Sequence, residues 1–187
     1  RGACPFCYMD ATPEGAHAGL DWVVSQLDTL RPDLPFQIAC GGGDPTRWPS
    51  LLDFADWGYA NSVAINMAVG PSCDLTILRE AVRPRRMSAV GVSFDPTRVV
   101  EFEGTARVAR QGEAQVWAHC VLRADWMGMW LHMNEWLRWR VDGVVFLLFK
   151  PRGRAAAWTN LVPSVEQVRQ LLQAYEGERL GFDSCCY

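Results

Sequence analysis

No stretch of this 187-residue chain approaches the roughly 20 consecutive apolar residues that cross a bilayer, so no spanning helix and no membrane partner are expected. Excess charge is missing as well. Lys and Arg number 18 against 21 Asp and Glu, and the net charge of -3 gives no electrostatic reason to expect nucleic acid or an anionic surface as partner. No linker, low-complexity run or repeat with a period of roughly 20 to 50 residues divides the sequence. An even, regular set of cysteines is also lacking: the seven present are odd in number and unevenly spaced. Such usage speaks against a disulfide framework and for a reducing, cytoplasmic setting in which some cysteines are ligands. No signal peptide is visible, and the chain opens on Arg1 and a motif rather than on Met and a strand, so it reads as an internal fragment. What is present is globular composition, 49% hydrophobic and 21% charged, enough for one packed domain or most of a larger one. The nine tryptophans are expected mainly in the core or a pocket wall.

Apolar spacing predicts the elements in turn. Thr12 can cap and Pro13 suits a first helical turn, and Leu20, Val23, Val24, Leu27 and Leu30 then form a stripe ended by Pro32 and Pro35. Phe36–Ala39 reads as a buried strand closed by glycines, and Pro49–Trp57 as a helix. Ser62–Ala68 is a strand stopped by Gly70-Pro71, and Asp74 caps a helix through Val82. Met87–Phe94, Ala114–Leu122 and Val144–Phe149 are strands, separated by helices over Pro96–Gln111 and Met127–Arg140. A Ser164/Gln167 capping box opens a helix to Tyr175, and Gly181-Phe182-Asp183 starts a last strand. Short apolar strands alternating with helices mean a parallel α/β sheet, and periodicity alone fits an open doubly wound sheet or a barrel. In either, chemistry collects at the C-terminal strand ends, where the distinctive motifs of this chain fall.

The first motif is Cys4-Pro5-Phe6-Cys7-Tyr8. Taken alone, Cys-x-x-Cys serves zinc sites, redox dithiols and iron–sulfur sites alike. A glutaredoxin-like Cys-Pro-aromatic-Cys is the strongest rival, although so small a domain needs no five further β/α units. The second motif is Ala39-Cys40-Gly41-Gly42-Gly43-Asp44-Pro45, a helix and a strand downstream. Its bland reading is a strand-to-helix turn capped by Asp44 or Thr46.

Together these two motifs resemble the radical S-adenosylmethionine (radical SAM) superfamily, whose cluster motif is Cys-x3-Cys-x2-Cys with an aromatic before the last cysteine. Cys4 and Cys7 fit its second and third cysteines and Phe6 its aromatic, which places an expected first cysteine directly before Arg1. Gly42-Gly43-Asp44-Pro45 is similar to the family's Gly-Gly-Glu-Pro, whose backbone holds the SAM amino group, with Asp44 one carbon shorter than the usual Glu. The resemblance implies a partial (β/α)6 TIM-like barrel with parallel strands, truncated at both ends, and residues 1–187 as one core domain lacking its first strand. It also implies a 4Fe-4S cluster on Cys4 and Cys7 and SAM as cofactors, and an electron donor such as flavodoxin or ferredoxin. The substrate is left open between peptide and small molecule.

By the same resemblance, Ser93 at the end of Val92-Ser93-Phe94-Asp95 is a candidate SAM contact; Arg123, at a strand end, reads either as a bidentate partner of the SAM carboxylate or as a surface arginine at a helix start. Asp95 reads equally as a plain helix cap, and Asn66 as a buried, hydrogen-bonded Asn. Lys150-Pro151-Arg152-Gly153-Arg154-Ala155 looks like a stretch of relatives with a cysteine-rich extension, and Cys185-Cys186 falls where such extensions begin. Its three cations are either anion ligands at the mouth or a solvated loop. Cys40, Cys73 and Cys120 read as small buried hydrophobes, and His17, His119 and His132 carry no ligand spacing. Two readings of other classes stay open: a zinc- or thiol-based α/β protein, and a degenerate barrel that only binds a partner.

Overall fold

A computed structural model describes residues 4–7, 9–12, 14–175 and 179–182. Strands β1 (Gln37–Cys40), β2 (Ala64–Val69), β3 (Met87–Phe94), β4 (Gln115–Leu122), β5 (Gly143–Leu148) and β6 (Leu180–Phe182) form one sheet in sequence order. Every neighbouring pair is parallel. Helices α1 (Leu20–Asp28), α2 (Leu51–Ala60), α3 (Leu75–Ala81), α4 (Val99–Ala109), α5 (Met127–Arg138) and α6 (Val165–Ala174) alternate with the strands. Parallel neighbours require a crossover, and a helix supplies it. The sheet curls into a half-barrel, so the architecture is an α/β partial barrel.

Alternation along each strand decides what the two faces do. Ile65, Met67 and Val69, then Val90, Val92 and Phe94, then Val116, Ala118, Cys120 and Leu122 are buried, and they join Phe54, Leu78, Phe102, Trp130 and Leu171 of the helices in one core. The intervening positions, Asn66, Ala68, Gly91, Ser93, Trp117, His119 and Val145, occupy the other, concave face. Aromatic rings concentrate on the helix side below the β3–β5 ends. Phe94 packs edge-on against Phe102 at 4.9 Å and Trp130 at 5.3 Å, and Tyr175 donates its hydroxyl to the Trp130 carbonyl at 3.0 Å. Trp22 and Trp139 are surface residues, 62% and 76% exposed, and depart from the expected buried placement.

Most elements lie where spacing puts them. β3 spans Met87–Phe94 as expected, Asp74 caps α3 by accepting from the Thr76 and Ile77 amides, and both halves of the Ser164/Gln167 capping box form. Three readings change. α1 begins at Leu20, not in the turn after Thr12, because Gly15 closes a separate turn onto the Thr12 carbonyl and Gly19 holds the extended N-cap conformation. α4 begins at Val99 rather than at Pro96. Asp95 is therefore not its cap; its carboxylate instead accepts from the Thr97 amide at 2.9 Å and hydroxyl at 2.7 Å in a preceding turn. The last strand runs over Leu180–Phe182, and Asp183, like Cys185 and Cys186, lies outside the described residues.

Candidate functional site

The mouth is formed where the strands end: Gly41–Asp44 after β1, Asp95 after β3, Arg123 after β4 and Phe149 after β5. The cysteine loop lies across the β4 and β5 ends. Two turn bonds shape it, Cys7 N–H to the Cys4 carbonyl at 3.2 Å and Asp10 N–H to the Cys7 carbonyl at 3.3 Å. The Cys7 sulfur accepts from the Ala11 amide at 3.4 Å. Phe6, between the cysteines, turns inward. Its ring meets Trp126 edge-on at 5.8 Å and Phe149 at 6.4 Å.

Arg123 completes this wall. Its guanidinium carbon stands 4.1 Å from the Trp126 ring centre and 5.3 Å from that of Phe6, and only 13% of the side chain is exposed. Both Asp125 carboxylate oxygens accept from it, at 3.0 and 2.6 Å. The fork that would address a ligand carboxylate thus faces Asp125, and a cation held among aromatic rings is what remains for the mouth. Of the cations at 150–154, Arg154 is engaged on the cysteine loop itself.

Partial loss of hydration raises the Cys4 thiol above its ordinary pKa, although the residue is exposed on its outer side. A backbone hydrogen bond at Phe6 and the Arg154 cation oppose that rise, while Cys7 and the Asp95 carboxylate add to it. Asp95 and the cysteine loop are therefore within electrostatic reach of one another. Among the described residues no three His, Cys, Asp or Glu side chains gather to hold a metal. Cys4 and Cys7 offer two thiolates, a donor pair that fits two corners of an iron–sulfur cluster, with a third ligand needed from outside the described residues.

The glycine turn at the β1 end differs in kind. Gly42 sits at φ +90°, a conformation that L side chains rarely adopt, and a Cβ placed on Gly41, Gly42 or Gly43 would meet nothing within 4 Å. Positive φ thus falls on Gly42, not on Gly43. Asp44 caps the short turn Pro45–Arg47, its Oδ1 accepting from the Thr46 amide at 3.1 Å and hydroxyl at 2.6 Å. Thr46, buried, in turn accepts from the Asp74 amide at 2.9 Å, tying the β1 end to the start of α3.

On the concave face, Ser93 is half-buried and stands level with His119 in the β3–β4 register. His119 lies across Gly91: a Cβ there would fall 2.2 Å from the imidazole, so only glycine admits the ring. Strand alternation from Trp117 would have placed His119 here, whereas ligand spacing, absent in the sequence, gave no sign of it. The Asn66 Oδ1 is buried with no hydrogen-bond partner among the described residues, which corrects the expectation of a satisfied buried Asn.

These features define an α/β partial barrel with a cysteine loop, a glycine turn and an aromatic-caged arginine at one mouth. Among solved structures the chain is similar to Streptococcus suis SuiB bound to its precursor peptide SuiA, with a TM-score of 0.72 at 8% sequence identity. The match covers 98% of this chain and 46% of SuiB, so the chain spans about half the length of that protein. No protein-family model matches the sequence, and no curated protein matches it.

Proposed function

We propose that this chain is the core of a radical SAM enzyme, in which Cys4 and Cys7 ligate a 4Fe-4S cluster together with a third cysteine, and SAM lies between the cysteine loop and the glycine turn. The observation that carries this reading is the likeness of nearly the whole chain to the SuiB fold, together with a Cys-x-Phe-Cys loop at the C-terminal mouth. Held by Cys4, Cys7 and a third cysteine, such a cluster would supply the electron for reductive cleavage of SAM. On that reading, each motif of this chain has a part. Gly42 and Gly43 leave backbone bare for the methionine end of SAM, and Asp44 adds a carboxylate at that spot. Ser93 lines the concave face beneath, and Arg123 sets a fixed positive charge against the cluster loop. Phe6 packs that loop onto Trp126 and Phe149 and so excludes water from its inner side.

A peptide is the favoured substrate class, because SuiB is seen with a precursor peptide. A flavodoxin or ferredoxin would deliver the electron. The test is anaerobic reconstitution of the full-length parent with iron, sulfide and SAM. Protein with about four iron per chain that forms 5′-deoxyadenosine under reductant supports the reading; protein that retains only zinc and leaves SAM intact sinks it.

A further inference from the structure

We infer that Arg154 is the positioning residue of the cysteine loop, holding both of its ends from one guanidinium before any metal arrives. The residue sits in the turn Gly153–Ala155 that follows β5, some 150 positions along the chain from the loop it touches. Its Nε donates to the Cys4 carbonyl at 3.0 Å, its Nη1 to the Asp10 carboxylate at 2.9 Å and its Nη2 to the Ala11 carbonyl at 2.8 Å. Its own backbone amide donates to the Cys7 carbonyl at 3.2 Å. Four acceptors on residues 4, 7, 10 and 11 thus converge on one side chain and its peptide. Among the described residues, the loop's other polar bonds include two internal turns and one weak bond to sulfur.

The geometry matters more than the charge. Asp10 is 66% exposed on its side chain, so the ion pair by itself adds little. What a guanidinium adds is three donors fixed in one plane, aimed at two carbonyls and a carboxylate that no ammonium could bridge together. Metal ligands on an irregular loop are ordered by just such outer contacts. The inference goes beyond the radical SAM reading and holds for any metal on Cys4 and Cys7.

The test uses the metal-free protein, with Arg154→Lys and Arg154→Gln as variants. The readouts are alkylation rates of Cys4 and Cys7 and apparent Co²⁺ affinity followed by thiolate-to-metal absorption. Both variants are expected to weaken Co²⁺ binding about 10–100-fold, the usual effect of losing an outer contact to a metal ligand. Arg154→Lys, which keeps a cation beside Cys4, should also speed alkylation of Cys4 and Cys7 while leaving that of Cys40, on β1, unchanged. Full rescue by Arg154→Lys would overturn the fork and leave only charge, and unchanged affinity and alkylation in both variants would overturn the inference altogether. Should either variant fold poorly, Asp10→Gly removes one exposed acceptor without touching the core, and glycine readily adopts the positive φ of 54° found there. It is expected to raise alkylation of Cys4 and Cys7 by a few-fold, and no change there would count against the clamp. Because these thiols are read without iron or SAM, failure of the clamp and failure of the cluster reading are distinguishable.

Discussion

The rim of the mouth built on β4 and β5 and the rim built on β1 shape their backbone loops by opposite means. On the first, Phe6 is wedged between Trp126 and Phe149, Arg123 lies against the same rings, and Arg154 grips the loop from below. On the second, three glycines carry the chain past a position where added Cβ atoms would touch nothing, and order comes from Asp44 and Thr46 beyond them. One rim is held by side chains and the other is kept clear of them. A loop that must fix reactive thiols benefits from the first construction. Backbone that a ligand approaches closely benefits from the second.

The largest expected effects test that division of labour. On the proposed reading, Cys7→Ala should leave reconstituted protein without iron, since it would remove a cluster ligand, while far-ultraviolet circular dichroism stays unchanged. Iron retained at the wild-type level would remove the cysteine loop from the proposed site. Gly43→Val should do the reverse. It should keep iron and stability but lower SAM cleavage by two or more orders of magnitude, since a branched side chain would then occupy the bare rim. The conformation of Gly43 allows this test, as positive φ falls on Gly42 and space around the Gly43 Cβ is open. Normal 5′-deoxyadenosine yield from Gly43→Val protein would mean that the glycine turn is only a turn.

Much of this arrangement is legible in the sequence, and the rest fails for identifiable reasons. β3 stands as expected because Met87–Phe94 is an apolar run between turn signals, with nothing else competing for those residues. The start of α1 is misplaced because Thr12-Pro13 is a good cap in form. Gly15 and Gly19 downstream hold the chain out of the helix until Leu20. Both rims show in the sequence because cysteine and glycine mark them by chemistry and by backbone freedom. His119 does not show, since one histidine has no spacing, and only its alternation with Trp117 tells which face it takes. Nor does the role of Arg154, whose contacts span about 140 to 150 residues, beyond the reach of any local pattern. Arg123 is a mixed case. Its position at a strand end is readable, whereas its pairing with Asp125 and its ring contacts exist only once α5 packs.

Alkaline pH should next distinguish the two rims by stability. Burial pushes Cys40 and Cys73, at or beside the glycine rim, up to about 11 from an ordinary value of 9.0, and the Asp44 carboxylate adds to the rise at Cys73. Folded values above unfolded ones mean that the fold favours the protonated thiol. Their contribution is therefore complete below pH 9 and is lost as pH rises from there through about 11. For Cys73, which is 8% exposed, the loss amounts to roughly 2 kcal/mol. Urea unfolding at several pH values should show this fall, and Cys73→Ala should flatten it while leaving the Cys4 contribution on the other rim in place. A slope unchanged by Cys73→Ala would remove the buried thiol as its cause.

The smallest effect sharpens the comparison most finely, because it lies within three residues. Gly42→Ala forces a Cβ onto backbone at φ +90°, which costs about 1–2 kcal/mol whatever the space around it. Gly43→Ala adds the same atom at ordinary φ and in open space. It should therefore be neutral or slightly stabilising, by up to about 0.5–1 kcal/mol, through reduced freedom of the unfolded chain. For a domain of this size the difference corresponds to a shift of roughly 2–12 °C in melting temperature, well within measurement. The two substitutions differ by no contact, no charge and no volume, so their difference reports backbone conformation alone. If Gly42→Ala is as stable as Gly43→Ala, the turn is not held at positive φ. The β1 rim would then be a floppy connection that takes shape from its neighbours, as the cysteine loop takes shape from Arg154.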